Sequence, residues 1–295
     1  MNAETSARLV LLNSIESGSQ FWTQEVKNKG ALHVVDQIKK GKAYSDKKAI
    51  EKVKKKVESV DPVAASRHIA ESGALFIDPH HELWPIQLND LTNPPFGIIV
   101  KGDFNVLSKL DNSVSIVGTR NPTNYGLRIA SDFAAGLSEN GLSVVSGGAV
   151  GIDAAAHKGA LAVEGTTLGI LGGGVNKPYP LSNFKLFDEI RLKGLLISEV
   201  MPNINPIPLR FLIRNRLIAA LSKGTLVVEA AFRSGSLRTA RDAAEIFRPV
   251  MAIPGPINVP TSEGCHKLIT ERCAELVTSV SEVLELVNPL TRMVG

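Results

Sequence analysis

The stretch Ser143-Val-Val-Ser-Gly-Gly-Ala-Val-Gly-Ile-Asp153 joins a short apolar run, a glycine-rich turn and the start of a helical pattern. The run lacks the polar alternation of a half-exposed strand, which is typical of a strand buried on both faces. Glycines are expected where the backbone bends sharply or approaches a ligand closely. The stretch therefore predicts one strand–turn–helix unit whose turn is available for binding.

Units of this kind recur along the chain after residue 111. The predicted strands lie at residues 113–117, 143–145, 167–171, 195–198, 225–228 and 249–253. Buried strands separated by helices form a parallel sheet, and right-handed crossovers place helices on both of its faces. We therefore predict an α/β fold with a Rossmann-like, doubly wound, mainly parallel sheet. Ligands of such sheets bind beyond the carboxyl ends of the strands.

The first hundred residues have a different character, with helical spacing at residues 7–12 and 31–38. We expect residues 1–105 to form a small helical N-terminal domain and connector, and residues 106–295 to form the Rossmann-like domain. The segment from Lys39 to Lys56 holds nine lysines. This run could contact phosphates, or it could be a solvated helix face or loop.

Composition sets broad limits on the protein. The chain has 295 residues, 44% hydrophobic and 21% charged residues and a net charge of +4, which is ordinary for a globular protein of about two domains. Cys265 and Cys273 are too far apart on a helix for a disulfide, so a reducing compartment is the simpler interpretation. No run approaches the roughly 18 apolar residues of a membrane helix. We expect a soluble, cytoplasmic protein without membrane association.

Three turns carry residues that favour phosphate. Gly118-Thr119-Arg120 follows the first strand, Ser146-Gly147-Gly148 follows the second, and Ser234-Gly-Ser236 precedes a helix that begins near Thr239. Free backbone N–H groups, the helix dipole and a formal charge together favour an anion at such positions. Alternatively, Arg120 points to water, and Asp153 is only an acid in the first turn of its helix. His157 is expected to be a structural residue.

Two further groups leave alternatives open. Phe184 could stack on a nucleobase while Lys185 holds its phosphate, or a core phenylalanine could lie beside a solvated lysine. Arg210 and Arg214 would share a helix face and repel each other unless an anion or a carboxylate lay between them. Arg216 completes this cluster around Asn215.

Signatures of enzyme chemistry are lacking. The chain has no Cys/His set with zinc spacing, no G-x-x-x-x-G-K-[ST] loop, no G-x-S-x-G elbow and no G-x-G-x-x-G turn. Asp153 and Glu229 could pair as carboxylates across the strand ends. We therefore predict no metal, no cofactor and no catalytic residue.

Several ordered motifs resemble one known family over roughly residues 75–285. They are Ser146-Gly-Gly-Ala-x-Gly-Ile-Asp-x-Ala-Ala-His157, Asn215-Arg216, Glu229-Ala with Ser234-Gly-Ser-Leu-x-Thr-Ala240, and Ile253-Pro-Gly-Pro256. In this order they resemble the DNA-processing protein A (DprA/Smf) family. Gly118-Thr-Arg120, Tyr179-Pro180 and Trp84-Pro85 also fit its pattern.

The resemblance implies a bacterial, cytoplasmic protein that binds single-stranded DNA without catalysis. It implies that the protein protects incoming single-stranded DNA and loads the RecA recombinase in natural transformation or related DNA processing. It also implies a helical (SAM-like) N-terminal domain and a homodimer formed through the Rossmann-like domain. The residues implied to line a DNA-phosphate pocket are Gly118, Thr119, Arg120, Ser146, Gly147, Gly148, Lys185, Asn215, Arg216, Ser234, Gly235 and Thr239.

Two departures from the family pattern affect these expectations. Val150 stands where the family has an arginine, although Arg238 could restore a charge nearby. The chain ends at Gly295, so the C-terminal winged helix of many members is not expected.

Two other functions are compatible with the sequence. One alternative is a nucleotide-binding enzyme or sensor of the wider superfamily, similar to the "lonely guy" phosphoribohydrolases, although their Pro-Gly-Gly-x-Gly-Thr-x-x-Glu run is missing here. The other is a partner scaffold that no longer binds DNA, which Val150 would explain.

Overall fold

The N-terminal region is helical, as expected. The computed structural model of the protein describes residues 1–41 and 47–288, so Lys42 of the lysine run lies outside the described residues. The N-terminal helices are α1 (Ala3–Ser14), α2 (Gln20–Lys29), α3 (Ala31–Lys40), α4 (Lys47–Ser59) and α5 (Pro62–Glu71). The Asn2 side chain accepts the Thr5 N–H at the start of α1, and Asp61 accepts the Val63 N–H at the start of α5.

A nine-stranded sheet forms the rest of the framework within the described residues. Its strands are β1 (Leu75–Ile77), β2 (Ile98–Gly102), β3 (Ser113–Val117), β4 (Ser143–Ser146), β5 (Thr167–Ile170), β6 (Leu195–Ser198), β7 (Thr225–Val227), β8 (Val250–Ala252) and β9 (Glu275–Leu276). Their order across the sheet is β1-β2-β6-β5-β4-β3-β7-β8-β9.

The pairing is mainly parallel. Strands β3 to β9 form parallel pairs, whereas β2 pairs antiparallel with both β1 and β6. The predicted Rossmann-like α/β fold is thus confirmed. The two antiparallel strands precede residue 106 and extend the same sheet, and the division of the chain at residue 105 stays a prediction.

Helices of the α/β region follow the strands. They are α6 (Asn124–Glu139), α7 (Ile152–Ala162), α8 (Phe184–Lys193), α9 (Pro208–Ile213), α10 (Asn215–Ala220), α11 (Ser236–Glu245), α12 (Glu263–Thr270) and α13 (Val280–Val287). The sequence suggests one helix around residues 211–221, but the structure has two short helices that meet at Arg214. This break separates Arg210 on α9 from Arg216 on α10, with Arg214 between the two helices.

The N-terminal helices share a hydrophobic core with the sheet. Leu9 and Ile38 belong to the same buried cluster as Ile99, Phe187 and Leu196, which come from β2, α8 and β6. Burial of apolar surface on this scale is the main force that holds such elements together. The helical region is therefore packed on the sheet.

Two properties bear on the expected environment. None of the described helices combines the length and the apolar character needed to cross a bilayer. Cys265 is buried, Cys273 is exposed, and both are free thiols, as their spacing predicts. Burial raises the pKa of the Cys265 thiol to about 12.

Candidate nucleic-acid interface

A cavity of about 420 Å³ lies at the carboxyl ends of the parallel strands. Its wall is formed by the turn after β3, the start of α7, the α9–α10 segment and the turn between β7 and α11. This is the edge at which doubly wound sheets bind their ligands, and the volume falls within the range of small-ligand sites. The cavity is therefore the candidate site.

The turn after β3 is fixed by Glu229, at the end of the neighbouring strand β7. The Thr119 N–H donates to the Glu229 carbonyl over 2.7 Å. The Glu229 carboxylate accepts the Thr123 N–H at 2.9 Å and the Thr123 hydroxyl at 2.6 Å. The Thr123 hydroxyl oxygen in turn accepts the Gly126 N–H and caps α6. Glu229 thus positions the turn that carries Arg120.

Arg120 is exposed at the rim of the cavity. Its guanidinium carbon lies 5.9 Å from the centre of the Phe211 ring, a cation–π distance. The Tyr179 ring lies 5.6 Å from the same phenylalanine. Arg120 therefore packs on an aromatic surface, and its guanidinium is exposed to solvent.

Arg214 lines the cavity and is only 6% exposed. Its Nη1 donates to the Ile170 carbonyl at the end of β5, and its Nε has no partner among the described residues. Burial lowers the pKa of Arg214 to about 10, with Asp153 opposing and Arg120 adding to the shift. A guanidinium with this pKa stays charged at neutral pH.

Asp153 lies in the first turn of α7 and also lines the cavity. Burial raises the pKa of its carboxyl. This rise is opposed by Arg214 and by the N–H groups of Ala149, Gly147 and Gly118, which lower the pKa. It accepts the Ala149 N–H at 3.4 Å. These contacts match the interpretation as a first-turn acid that caps backbone donors.

The turn before α11 closes the opposite side. Asn215 donates its side-chain N–H to the Gly235 carbonyl over 3.2 Å and joins this turn to α10. The hydroxyls of Ser234 and Ser236 are 2.7 Å apart. Arg233 is exposed and lines the cavity from this side. Cations therefore reach the cavity from three separate segments of the chain.

The structure brings together seven of the twelve residues predicted for the pocket. Those that line the cavity are Gly118, Thr119, Arg120, Asn215, Ser234, Gly235 and Thr239. Whether they contact DNA stays a prediction.

Five predicted residues do not line the cavity. The Ser146 hydroxyl donates to the Ile116 carbonyl, Gly147 packs under the Arg214 guanidinium, and Gly148 packs against the Phe187 ring. Lys185 is exposed on α8, beside an equally exposed Phe184, so the interpretation of Phe184 as a core residue is wrong.

Arg216 also points away from the cavity. It donates to the Glu199 carboxylate over 2.6 Å, and both side chains are almost entirely buried. Burial raises the pKa of Glu199, and Arg216 opposes this shift.

Sequence reasoning did not select Arg214 and Arg233 for the site. Arg214 belongs to the recognised arginine cluster, but its direction depends on the break between α9 and α10. Arg233 follows β7 by only six residues, at an edge where cations were expected. The position of Arg233 after a strand end is therefore a sequence signal that predicts a place in the site.

Two other expectations concern charge and catalysis. Arg238 pairs with Asp242 over 2.6 Å and does not line the cavity, and its role as a substitute for the family arginine at position 150 stays a prediction. His157 is buried and shares a 2.7 Å hydrogen bond with Thr167, and burial lowers its pKa to about 3. It is a structural residue, as predicted.

The described residues contain no cluster of three metal-ligating side chains.

Asp153 and Glu229, which could have formed a carboxylate pair, have separate partners. Glu229 holds Thr123, whereas Asp153 holds backbone N–H groups. The arrangement offers cations, hydroxyls and backbone donors, and it suits an anion.

Comparison with known proteins relates the chain to one family. A family described as "DNA recombination-mediator protein A" matches residues 75–288. A putative DNA processing protein DprA from Mycobacterium tuberculosis is 38% identical over 234 residues, which cover 76% of this chain and 60% of that protein. Protein Smf from Escherichia coli is 43% identical over 205 residues, or 69% of this chain and 54% of Smf. The chain thus spans little more than half the length of these relatives.

Two solved structures extend the comparison. DNA processing protein A from Streptococcus pneumoniae superposes with a TM-score of 0.81 and 32% identity, covering 96% of this chain and 97% of that one. DNA processing protein A from Helicobacter pylori, described for its single-stranded DNA binding mode, gives a TM-score of 0.64 and 31% identity over 72% and 94% of the two chains. This chain belongs to the DNA recombination-mediator protein A family, which includes the DprA and Smf proteins.

Proposed function

We propose that this chain binds single-stranded DNA at the carboxyl edge of its sheet by neutralising phosphates and leaving the bases largely unread. The observation that carries the proposal is the convergence of Arg120, Arg214 and Arg233 on one cavity. Among the described residues, none of the three forms an ion pair, whereas Arg210, Arg216 and Arg238 each pair with a carboxylate. Unpaired guanidiniums are the groups expected to bind phosphate.

The relatives support a recombination role for this binding. The chain belongs to a recombination-mediator family, and the Helicobacter pylori relative binds single-stranded DNA. We extend the proposal to protection of incoming single-stranded DNA and loading of the RecA recombinase, in natural transformation or related DNA processing. The protein would act in the cytoplasm, where its free cysteines stay reduced, and as a homodimer.

The geometry favours binding over catalysis. A phosphoribohydrolase-like enzyme needs an available acid or base, but Glu229 is hydrogen-bonded to Thr123 and Asp153 to backbone N–H groups. His157 is buried away from solvent. These contacts weigh against the nucleotide-hydrolase alternative.

The binding proposal is tested by fluorescence anisotropy of a labelled oligo-dT strand and a matched duplex at two salt concentrations. We expect preference for the single strand, with log K falling by roughly 0.7 per phosphate neutralised for each unit of log salt concentration. Equal affinity for both forms, or binding that does not respond to salt, would remove the support for the proposal.

The mediator proposal needs a separate assay. RecA filament formation is followed on single-stranded DNA coated with single-strand-binding protein, with and without this protein. We expect faster nucleation in its presence. Unchanged nucleation, in a preparation that binds DNA, would limit the function to DNA binding. Light scattering of the same preparation tests for the homodimer.

A further inference from the structure

The charge that faces the cavity exceeds what one phosphodiester requires. Arg120, Arg214 and Arg233 contribute three positive charges, and Asp153 is the acidic residue among the described residues that line the cavity. The net charge of the lining is therefore at least +2. An internal phosphate of a DNA strand carries a single negative charge, so one internal phosphate in the cavity would leave positive charge unmatched.

Arg214 gives the cavity a fixed cation at its base. The side chain is more than nine-tenths buried and is held by the bond from its Nη1 to the Ile170 carbonyl. Its Nε lacks a partner within the described part of the chain. A buried guanidinium with unused donors is costly unless an anion approaches it. This residue therefore points to a ligand with concentrated negative charge.

Neutral donors surround the same space. Thr119 and Ser234 line it with hydroxyl groups, and the amino end of the ten-residue helix α11 faces it through Ser236 and Thr239. Helix amino ends stabilise anions, and hydroxyls can complete the shell of a multiply charged phosphate. The volume of about 420 Å³ is suited to a group the size of one nucleotide.

We propose that the cavity recognises a phosphate monoester, carried by the end of a DNA strand or by a free nucleotide, in preference to an internal phosphodiester. A monoester carries about −1.5 to −2 charges at pH 7 and offers three acceptor oxygens, which match a lining of net charge +2 or more. The inference rests on the proposed function and specifies which phosphate of the DNA the cavity selects.

The experiment compares dT hexamers that differ only at their ends. Hexamers with a 5′-phosphate, with a 3′-phosphate and with hydroxyls at both ends are titrated by anisotropy, and dTMP is added as a competitor. We expect one phosphorylated hexamer to bind about ten times more tightly than the hydroxyl form. The preference should fall towards unity in Arg120→Ala and Arg233→Ala, both at exposed positions that tolerate truncation.

Arg241→Ala is the matched control, because Arg241 is exposed on α11 outside the cavity and its loss should leave the preference unchanged. Displacement by dTMP at the affinity of the phosphorylated hexamer would assign the site to free nucleotides, and failure of dTMP to compete would assign it to strand ends. Equal, salt-sensitive binding of all three hexamers would overturn this inference while leaving the proposed function intact. Absence of binding by any DNA would instead defeat the proposed function.

Discussion

At the scale of single residues, the site depends on carboxylates that hold loops in place. Glu229 accepts two hydrogen bonds from Thr123. One oxygen of its carboxylate also packs closely against Gly126, where a Cβ would overlap it. Replacing such an acceptor leaves partly buried donors without full compensation, a loss of about 1–3 kcal/mol. Glu229 is therefore expected to matter for stability and, through Arg120, for binding.

We predict that Glu229→Gln lowers the free energy of unfolding by about 1–3 kcal/mol, because the amide N–H₂ would face a donor instead of accepting from it. Urea denaturation measures this change. Glu189→Gln, at an exposed position on α8, is the control and should behave as the wild type. A Glu229→Gln protein as stable as the control would show that the carboxylate does not hold the turn.

Arg216 illustrates a different role for a buried charge. Its removal leaves Glu199 buried without a partner, and such losses cost about 3–5 kcal/mol. We predict that Arg216→Ala is strongly destabilised, whereas Arg210→Ala, which breaks the more exposed pair with Glu16, loses at most about 1 kcal/mol. Similar stabilities of the two variants would contradict this assignment.

The Arg216→Ala defect should also depend on pH. Burial already raises the pKa of Glu199 above its unfolded value, and loss of Arg216 raises it further. The folded state then binds a proton more readily than the unfolded state, so stability rises as pH falls through this range. We predict a smaller deficit at about pH 5 than at about pH 7, measured by urea denaturation at both values. A constant deficit would argue against ionised Glu199.

At the scale of elements, close packing around the glycine turns sets the geometry of the cavity. A Cβ on Gly147 would overlap the Arg214 guanidinium, whereas a Cβ on Gly235 would meet no atom within 4 Å. Gly235 also has helical backbone angles that alanine adopts freely. Alanine is therefore expected to clash at position 147 and to fit at position 235, so the second substitution serves as a control for the first.

We predict that Gly147→Ala displaces Arg214, destabilises the fold by about 1–3 kcal/mol and weakens DNA binding, since overpacking a filled site is unfavourable. Gly235→Ala should retain wild-type stability. Thermal unfolding followed by circular dichroism compares the two variants. Equal melting temperatures would show that the turn relaxes without cost.

The elements also show what sequence can predict. Strands β3 to β8 are apolar runs bounded by turns, so their positions follow from the pattern within a few residues. β9 has only two residues, both exposed, so no apolar run indicates a strand there. The break at Arg214 involves a side-chain bond to Ile170, 44 residues earlier. Such a contact leaves no local signal, whereas Arg216 is selected because the resemblance includes the motif Asn215-Arg216.

At the scale of the whole molecule, the helical N-terminal region and the sheet are joined by polar contacts as well as by their common core. Glu16 pairs with Arg210 at 2.6 Å, the Ser17 hydroxyl donates to the Glu199 carbonyl, and Arg8 donates to the Phe96 carbonyl. Arg210 lies on α9, beside the cavity residue Phe211. The N-terminal region thus buttresses one wall of the site.

We predict that the two regions unfold together, because they share buried side chains. Trp22 reports on the helical region and Trp84 on the sheet core, so Trp22→Phe and Trp84→Phe leave one probe each. Their fluorescence transitions in urea should coincide with each other and with far-UV circular dichroism. Separate midpoints would show that the regions are independent.

The central claim is that Arg120 and Arg233 bind the phosphates of single-stranded DNA, and the salt dependence of affinity tests it most directly. Oligo-dT affinity is measured by anisotropy over a range of salt concentrations for the wild type, the Arg120→Ala/Arg233→Ala double variant and the Arg241→Ala control. We predict that the double variant binds at least about tenfold more weakly, with a salt slope shallower by about 1.4, since two phosphate contacts are lost. The control should match the wild type. An unchanged affinity and slope in a folded double variant would contradict the account.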